Sequence, residues 1–160
     1  ELDPDLDWVH YNLGCIYSDE EKYQRAVAYL NRAIALDPNY PKAYNERGWI
    51  STRLGDYTHA IEDFDRAIAL DPALASAYLN RGLAYDDLGR PEPAFADITT
   101  AIALDPENPD MYWGLGNVYY NQQAYTSALE NYRRCLELSG DDLPPFVVRR
   151  VAELEDRLGQ

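Results

Sequence analysis

Few residues in this chain could do chemistry, and they are scattered. The 160 residues include two histidines and two cysteines. A metal site needs several His, Cys or carboxylate donors converging on one point, and His10 and His59 stand in different segments with no such set beside them. Gly114-Leu115-Gly116 lacks the preceding strand and the third glycine of a dinucleotide-binding loop. The adjacent carboxylates Asp86-Asp87 and Asp141-Asp142 read as solvated turns and helix ends rather than as acid–base pairs. No catalytic, cofactor-binding or metal-ligating residue is therefore assigned. What remains is recognition chemistry, carried by rings such as Trp8, Trp49 and Trp113 and by side-chain amides. Rings supply contact area at little entropic cost, and amides both donate and accept hydrogen bonds.

The elements that must position these groups follow from a period. Leu-Asp-Pro recurs every 34 residues, at Leu2-Asp3-Pro4, Leu36-Asp37-Pro38, Leu70-Asp71-Pro72 and Leu104-Asp105-Pro106. A fixed period of this size signals stacked copies of one supersecondary unit. Aligning on the marker gives units 7–40, 41–74, 75–108 and 109–142, with 1–6 as the tail of an upstream unit and 143–160 as a C-terminal capping helix. Small residues fall in register: Gly14, Gly48, Gly82 and Gly116; Ala26, Ala60, Ala94 and Ala128; Ala33, Ala67, Ala101 and Cys135. Glycine in a helix interior costs about 1 kcal/mol against alanine, so its use at one slot in every unit implies that another helix presses on the backbone there. Bulky slots repeat as well: His10, Tyr44, Tyr78 and Tyr112, then Leu30, Phe64, Ile98 and Tyr132.

These units resemble tetratricopeptide repeats, whose signature has aromatic, Leu-Gly, aromatic, Ala, aromatic and Pro slots. The best match runs from Tyr112 through Leu115-Gly116 to Tyr119, followed by Ala128 and Tyr132. Residues 7–138 are covered. Arg47 and Arg81 replace the expected leucine, Ser51 replaces an aromatic, and the fourth unit ends in Ser139-Gly140 instead of Asp-Pro. The resemblance implies an all-α fold, a right-handed superhelical solenoid of four helical hairpins plus the capping helix.

First helices are predicted near 8–20, 42–54, 76–88 and 110–122, and second helices near 23–36, 57–70, 91–104 and 125–138. Gly55 and Gly89 can adopt the left-handed conformation that ends a helix, and each recurring proline disfavours helix in the residue before it. Pro91 and Pro93 fall at a helix start, where a missing N–H is tolerated, and predict a slightly late start. Val147, Val151, Leu154 and Leu158 share one face of the capping helix. Continuing the 34-residue register puts Arg150 in the small-residue slot, which would prevent a further hairpin from packing closely. Glu1-Leu2-Asp3-Pro4 and the absence of a starting methionine suggest a fragment of a longer array.

The net charge is −14, from 28 acidic and 14 basic residues, with a pI near 4.3. Nucleic acid is excluded as a partner, because phosphate neutralisation supplies most of such affinity and no basic stripe is present. No apolar run approaches the roughly 20 residues needed to span a bilayer, and mean hydropathy is −0.51, so no membrane insertion is expected. Cys15 and Cys135 fall in the first and fourth units, too far apart to bridge, so both are expected as free thiols in a reducing, cytoplasmic compartment.

At about 100° per residue, six slots of each first helix cluster opposite its packed stripe. In tetratricopeptide arrays that side lines the concave groove. The resemblance therefore implies groove positions at Trp8, Tyr11, Asn12, Cys15, Ser18 and Asp19; Lys42, Asn45, Glu46, Trp49, Thr52 and Arg53; Ser76, Leu79, Asn80, Leu83, Asp86 and Asp87; Asp110, Trp113, Gly114, Asn117, Tyr120 and Asn121. All three tryptophans fall on this side, where hairpin stacking does not require them. The opposing reading is that the rings pack on neighbouring first helices, or that Trp8 covers a surface bared by truncation. The carboxylate-holding pattern of the family's chaperone-tail receptors, made of lysines, an arginine and asparagines, fails: starting at the first unit puts Tyr11 and Cys15 where lysine and asparagine are wanted, and starting at the second keeps Asn80 but meets Asp110 and Gly114 instead of cations. The asparagine ladder of O-linked N-acetylglucosamine transferases survives at Asn12 and Asn80 and is interrupted by Glu46 and Gly114.

Arg47 and Arg81 occur in the same units as Asp63 and Asp97, whereas the other units pair Leu13 with Tyr29 and Leu115 with Asn131. Arg47–Asp63 and Arg81–Asp97 are predicted as structural ion pairs. The expected function is a non-enzymatic protein–protein interaction module that binds, in its groove, a peptide with apolar anchors and basic flanks. Two rivals stay open: self-association through the groove or the truncated N-terminal end, and the regulatory or substrate-recruiting arm of a larger enzyme.

Overall fold

The computed structural model describes residues 6–140 and 143–159, so Leu2-Asp3-Pro4, most of the tail 1–6, and Asp141-Asp142 lie outside the described residues. The described residues form helices α1 (Asp7–Asp19), α2 (Tyr23–Leu36), α3 (Pro41–Arg53), α4 (Tyr57–Leu70), α5 (Ala75–Asp87), α6 (Pro91–Leu104), α7 (Pro109–Asn121), α8 (Tyr125–Ser139) and α9 (Pro145–Leu158). Each odd-numbered helix up to α7 packs along the helix that follows it, and each even-numbered helix packs on the next odd one. Successive odd helices also touch, α1 on α3, α3 on α5 and α5 on α7. They form the inner layer of an all-α superhelical solenoid.

The small-residue slots make this packing possible. A Cβ on Gly116 would stand 2.6 Å from Cε1 of Tyr132, and one on Gly48 would stand 2.8 Å from Cε1 of Phe64. Tyr132, Phe64, Leu30 and Ile98 are the buried rings and aliphatics that fill these gaps, flanked by buried Ala26, Ala60, Ala94 and Ala128. Between the helices of each hairpin one residue takes positive φ: Glu21 (56°), Gly55 (79°), Gly89 (68°) and Gln123 (59°). The turn is the same in all four hairpins, but two of them make it without glycine.

Two sequence expectations need correction. α6 begins at Pro91 with no delay, because the first N–H groups of a helix have no intrahelical acceptor and Pro91 and Pro93 forfeit nothing there. α9 begins 36 residues after the start of α7, although α3, α5 and α7 start 34 apart. Buried Val147 and Leu154 then take the places of Met111 and Val118, and Ala152, not Arg150, occupies the small-residue slot. Arg150 instead matches Gly114 and faces the inner layer, so it does not obstruct packing in the way the fixed period implied.

Candidate functional site

A cleft of about 500 Å³ opens along the inner layer. α3 contributes Trp49, Thr52 and Arg53; α5 contributes Leu79, Asn80, Leu83, Asp86 and Asp87; α7 contributes Asp110, Trp113, Asn117, Tyr120 and Asn121. α9 adds Phe146 and Arg150. Sequence reasoning missed these last two because it carried the 34-residue register past Gly140. The signal was Pro145, which restarts a helix as Pro41 and Pro109 do, two residues late.

The rings are partly open. Trp49 meets Tyr23 edge-on, with centroids 6.4 Å apart, and the Arg53 guanidinium lies over it at 5.7 Å. Trp113 meets Phe146 edge-on at 6.0 Å, and Phe146 itself is 54% exposed. Tyr120 carries the Arg150 guanidinium on its face at 4.2 Å. Leu79 differs from its neighbours: it is 6% exposed, and its Cδ1 lies 2.5 Å from where a Cβ on Gly114 would be, which explains that glycine.

The other groove positions lie outside this cleft. Trp8 and Asn12 are exposed on α1, and Tyr11 meets Tyr40 at a tilt of 41°, with ring centroids 5.0 Å apart. Asn45, also outside it, accepts a 3.1 Å hydrogen bond from Nδ2 of the cleft residue Asn80, and within the cleft Asn121 donates to Asp86 at 2.7 Å. Asn117 accepts from the Tyr132 hydroxyl at 2.7 Å. Each amide keeps spare donors or lone pairs after these bonds.

Burial pushes the carboxyl of Glu46 above the usual carboxylate range, and partial desolvation at the cleft wall, with the charge of neighbouring Asp86, raises that of Asp87, whose surface stays exposed. Among the described residues no cation pairs with Asp87. Both thiols are free, and burial raises the pKa of each, making them poor nucleophiles. Among the described residues no cluster of His, Cys, Asp or Glu could hold a metal ion, and no helix is long and apolar enough to cross a membrane.

On the side away from the cleft, two arginines each clasp three helices. Nε and Nη2 of Arg47 donate to Asp63 at 2.8 and 2.6 Å, and Nη1 donates to Asn31 of α2 at 2.6 Å. Nε and Nη2 of Arg81 donate to Asp97, both at 2.7 Å, and Nη1 pairs with Asp65 of α4. The hydrogen bonds to Asp63 and Asp97 push both guanidinium pKa values up. The third partners, from the preceding hairpin, were not anticipated from sequence.

Two family models described as tetratricopeptide repeat match residues 13–79 and 79–142. The chain belongs to the tetratricopeptide-repeat family. No curated protein matches it in sequence. Among solved structures, this tetratricopeptide-repeat chain is similar to the MamA protein, with 27% identity over 86% of this chain and 75% of that one at a TM-score of 0.70. A second MamA crystal structure matches at 27% identity and TM-score 0.71, covering 86% of this chain and 80% of the other. A chain of the APC/C hetero-tetramer Cut9-Hcn1 superposes at TM-score 0.90 with 19% identity, covering 98% of this chain and 31% of that one, a likeness of fold. As a tetratricopeptide-repeat protein the chain is a protein–protein interaction module.

Proposed function

We propose that the cleft between α3, α5, α7 and α9 binds a peptide segment of a protein partner, with apolar side chains against Trp49, Leu83, Trp113 and Phe146. The observation that carries this reading is the run of half-open rings around a cleft of about 500 Å³ that also holds an unpaired carboxylate, Asp87. Rings so placed add contact area at little immobilisation cost, and a cationic side chain of the partner would offset the repulsion between Asp87 and neighbouring Asp86. The module works by binding rather than by catalysis, in a compartment that keeps Cys15 and Cys135 reduced.

A peptide-array screen followed by titration tests the reading. Trp49→Ala and Trp113→Ala should each weaken a basic, apolar hit by roughly tenfold or more. Binding should also weaken as pH falls through the raised pKa of Asp87, since the neutral acid no longer attracts the cation. A hit indifferent to both substitutions would move the site off the cleft.

Self-association has one observation in its favour. Ile16 is 53% exposed, whereas Ile50, Ala84 and Val118 in the matching slot are wholly buried against the preceding hairpin. Light scattering across a concentration series, on the chain and on Ile16→Glu, separates the two readings.

A further inference from the structure

On the side away from the cleft, beside Arg47, the first two hairpins leave another cavity, of about 370 Å³, between α2, α3 and α4. Its origin lies in the repeat. The slot that holds Tyr17, Tyr85 and Tyr119 in the other units holds Ser51 in the second. Tyr119 meets Phe95 of the preceding hairpin, with ring centroids 4.8 Å apart. Two periods earlier in the chain the matching pair is Ser51 and Val27, and both line the cavity. Two shorter side chains therefore stand where the third and fourth units meet through two rings, and the space those rings fill is open.

The walls around this space are held in place. Asn31, Arg47 and Asp63 are hydrogen-bonded together. Asp56 caps α4 through the backbone N–H of His59 and holds Nδ1 of the same residue at 2.6 Å. These bonds keep the polar side chains from folding into the gap. Glu62 also lines it, and no hydrogen bond among the described residues engages the Glu62 carboxylate or the Ser51 hydroxyl. Leu54, three residues beyond Ser51 and so its neighbour on the helix surface, is 53% exposed and adds apolar area beside it.

We propose that this cavity is a socket for a tyrosine side chain of a protein partner, docked across the first two hairpins on the side opposite the cleft. The ring takes the space that Tyr119 and Phe95 fill two hairpins on and packs on Val27, while its hydroxyl donates to Glu62. The repeat itself argues for this occupant, since the three sister units carry tyrosine in the slot that Ser51 leaves empty. A phenylalanine or leucine fits less well, because it would cover the Glu62 carboxylate and the Ser51 hydroxyl without bonding either. Tyrosine joins an apolar body to a polar tip, as a lining apolar at Val27 and polar elsewhere requires. The site is independent of the cleft, so one partner can hold the outer side while another segment lies in the groove.

Titration with N-acetyl-tyrosine amide, followed by the ring resonances of the two histidines and the methyl resonances of Val27, tests the proposal. His59 and Val27 should shift with a millimolar Kd, the range for a single side chain, while His10, which does not line the cavity, stays still. N-acetyl-phenylalanine amide should bind roughly fivefold more weakly for want of the hydroxyl, and Glu62→Gln should narrow that gap. Ser51→Tyr supplies a ring from within. It should abolish both shifts and raise the thermal midpoint by about 3 °C. A midpoint that falls instead would show that the space does not accept a ring and would overturn the socket. Phenylalanine or leucine amide binding as tightly as tyrosine amide would overturn the choice of occupant. Shifts confined to the indole N–H groups of Trp49 and Trp113 would overturn the outer site and leave the cleft standing.

Discussion

Arg81 shows how one side chain can hold three helices. It sits 19% exposed on α5, forks onto Asp97 of α6 and reaches Asp65 of α4. Two charges removed from water recover their desolvation only while both are present. Arg81→Leu strands Asp97, itself 8% exposed, and should destabilise the fold by roughly 3 kcal/mol. Adding Asp97→Asn recreates the Leu–Asn combination of α7 and α8, Leu115 with Asn131, and should recover most of that loss. Urea unfolding of the single and double variants measures the difference. A double variant no more stable than the single one would mean that Arg81 acts through Asp65 and its stacking on Tyr78 instead.

At the scale of the element, the inter-helix turn sets the spacing of every hairpin. The turn needs a left-handed residue, a conformation that costs a residue bearing a Cβ about 1 kcal/mol, and Gln123 adopts it at φ 59° where Gly55 and Gly89 do so freely. Gln123→Gly should therefore stabilise the α7–α8 hairpin by up to about 1 kcal/mol, offset in part by the freer unfolded chain. A drop in thermal midpoint would show that the entropic loss wins. α9 demonstrates the same dependence of position on linker length. Starting it two residues late rotates the helix so that Phe146 and Arg150 enter the cleft while Val147, Val151 and Leu154 still reach the core.

For the molecule as a whole, acidity is the dominant property, and part of it lies in the inner layer. Glu46 has a folded-state pKa above its unfolded value because burial penalises its charge. The folded state then binds more protons than the unfolded chain between those two pKa values, so stability is fully present below the ordinary carboxylate pKa and is lost as pH rises through the raised one. The chain should accordingly become more stable on acidification from pH 7 toward that window, and Glu46→Gln should flatten the rise. Urea midpoints at several pH values check this, and an unchanged slope in the variant would place the effect in general charge repulsion. Hairpins, helix stops and inner-layer positions such as Trp49, Asn80 and Trp113 could be read from the sequence, because a 34-residue period and helical geometry act locally and repeat. The third partners of Arg47 and Arg81, the burial of Leu79 beneath Gly114 and the α9 wall of the cleft could not. They depend on how one hairpin is rotated against the next, which is decided by the fit of side chains from distant segments and, at α9, by a two-residue lag that interrupts the period.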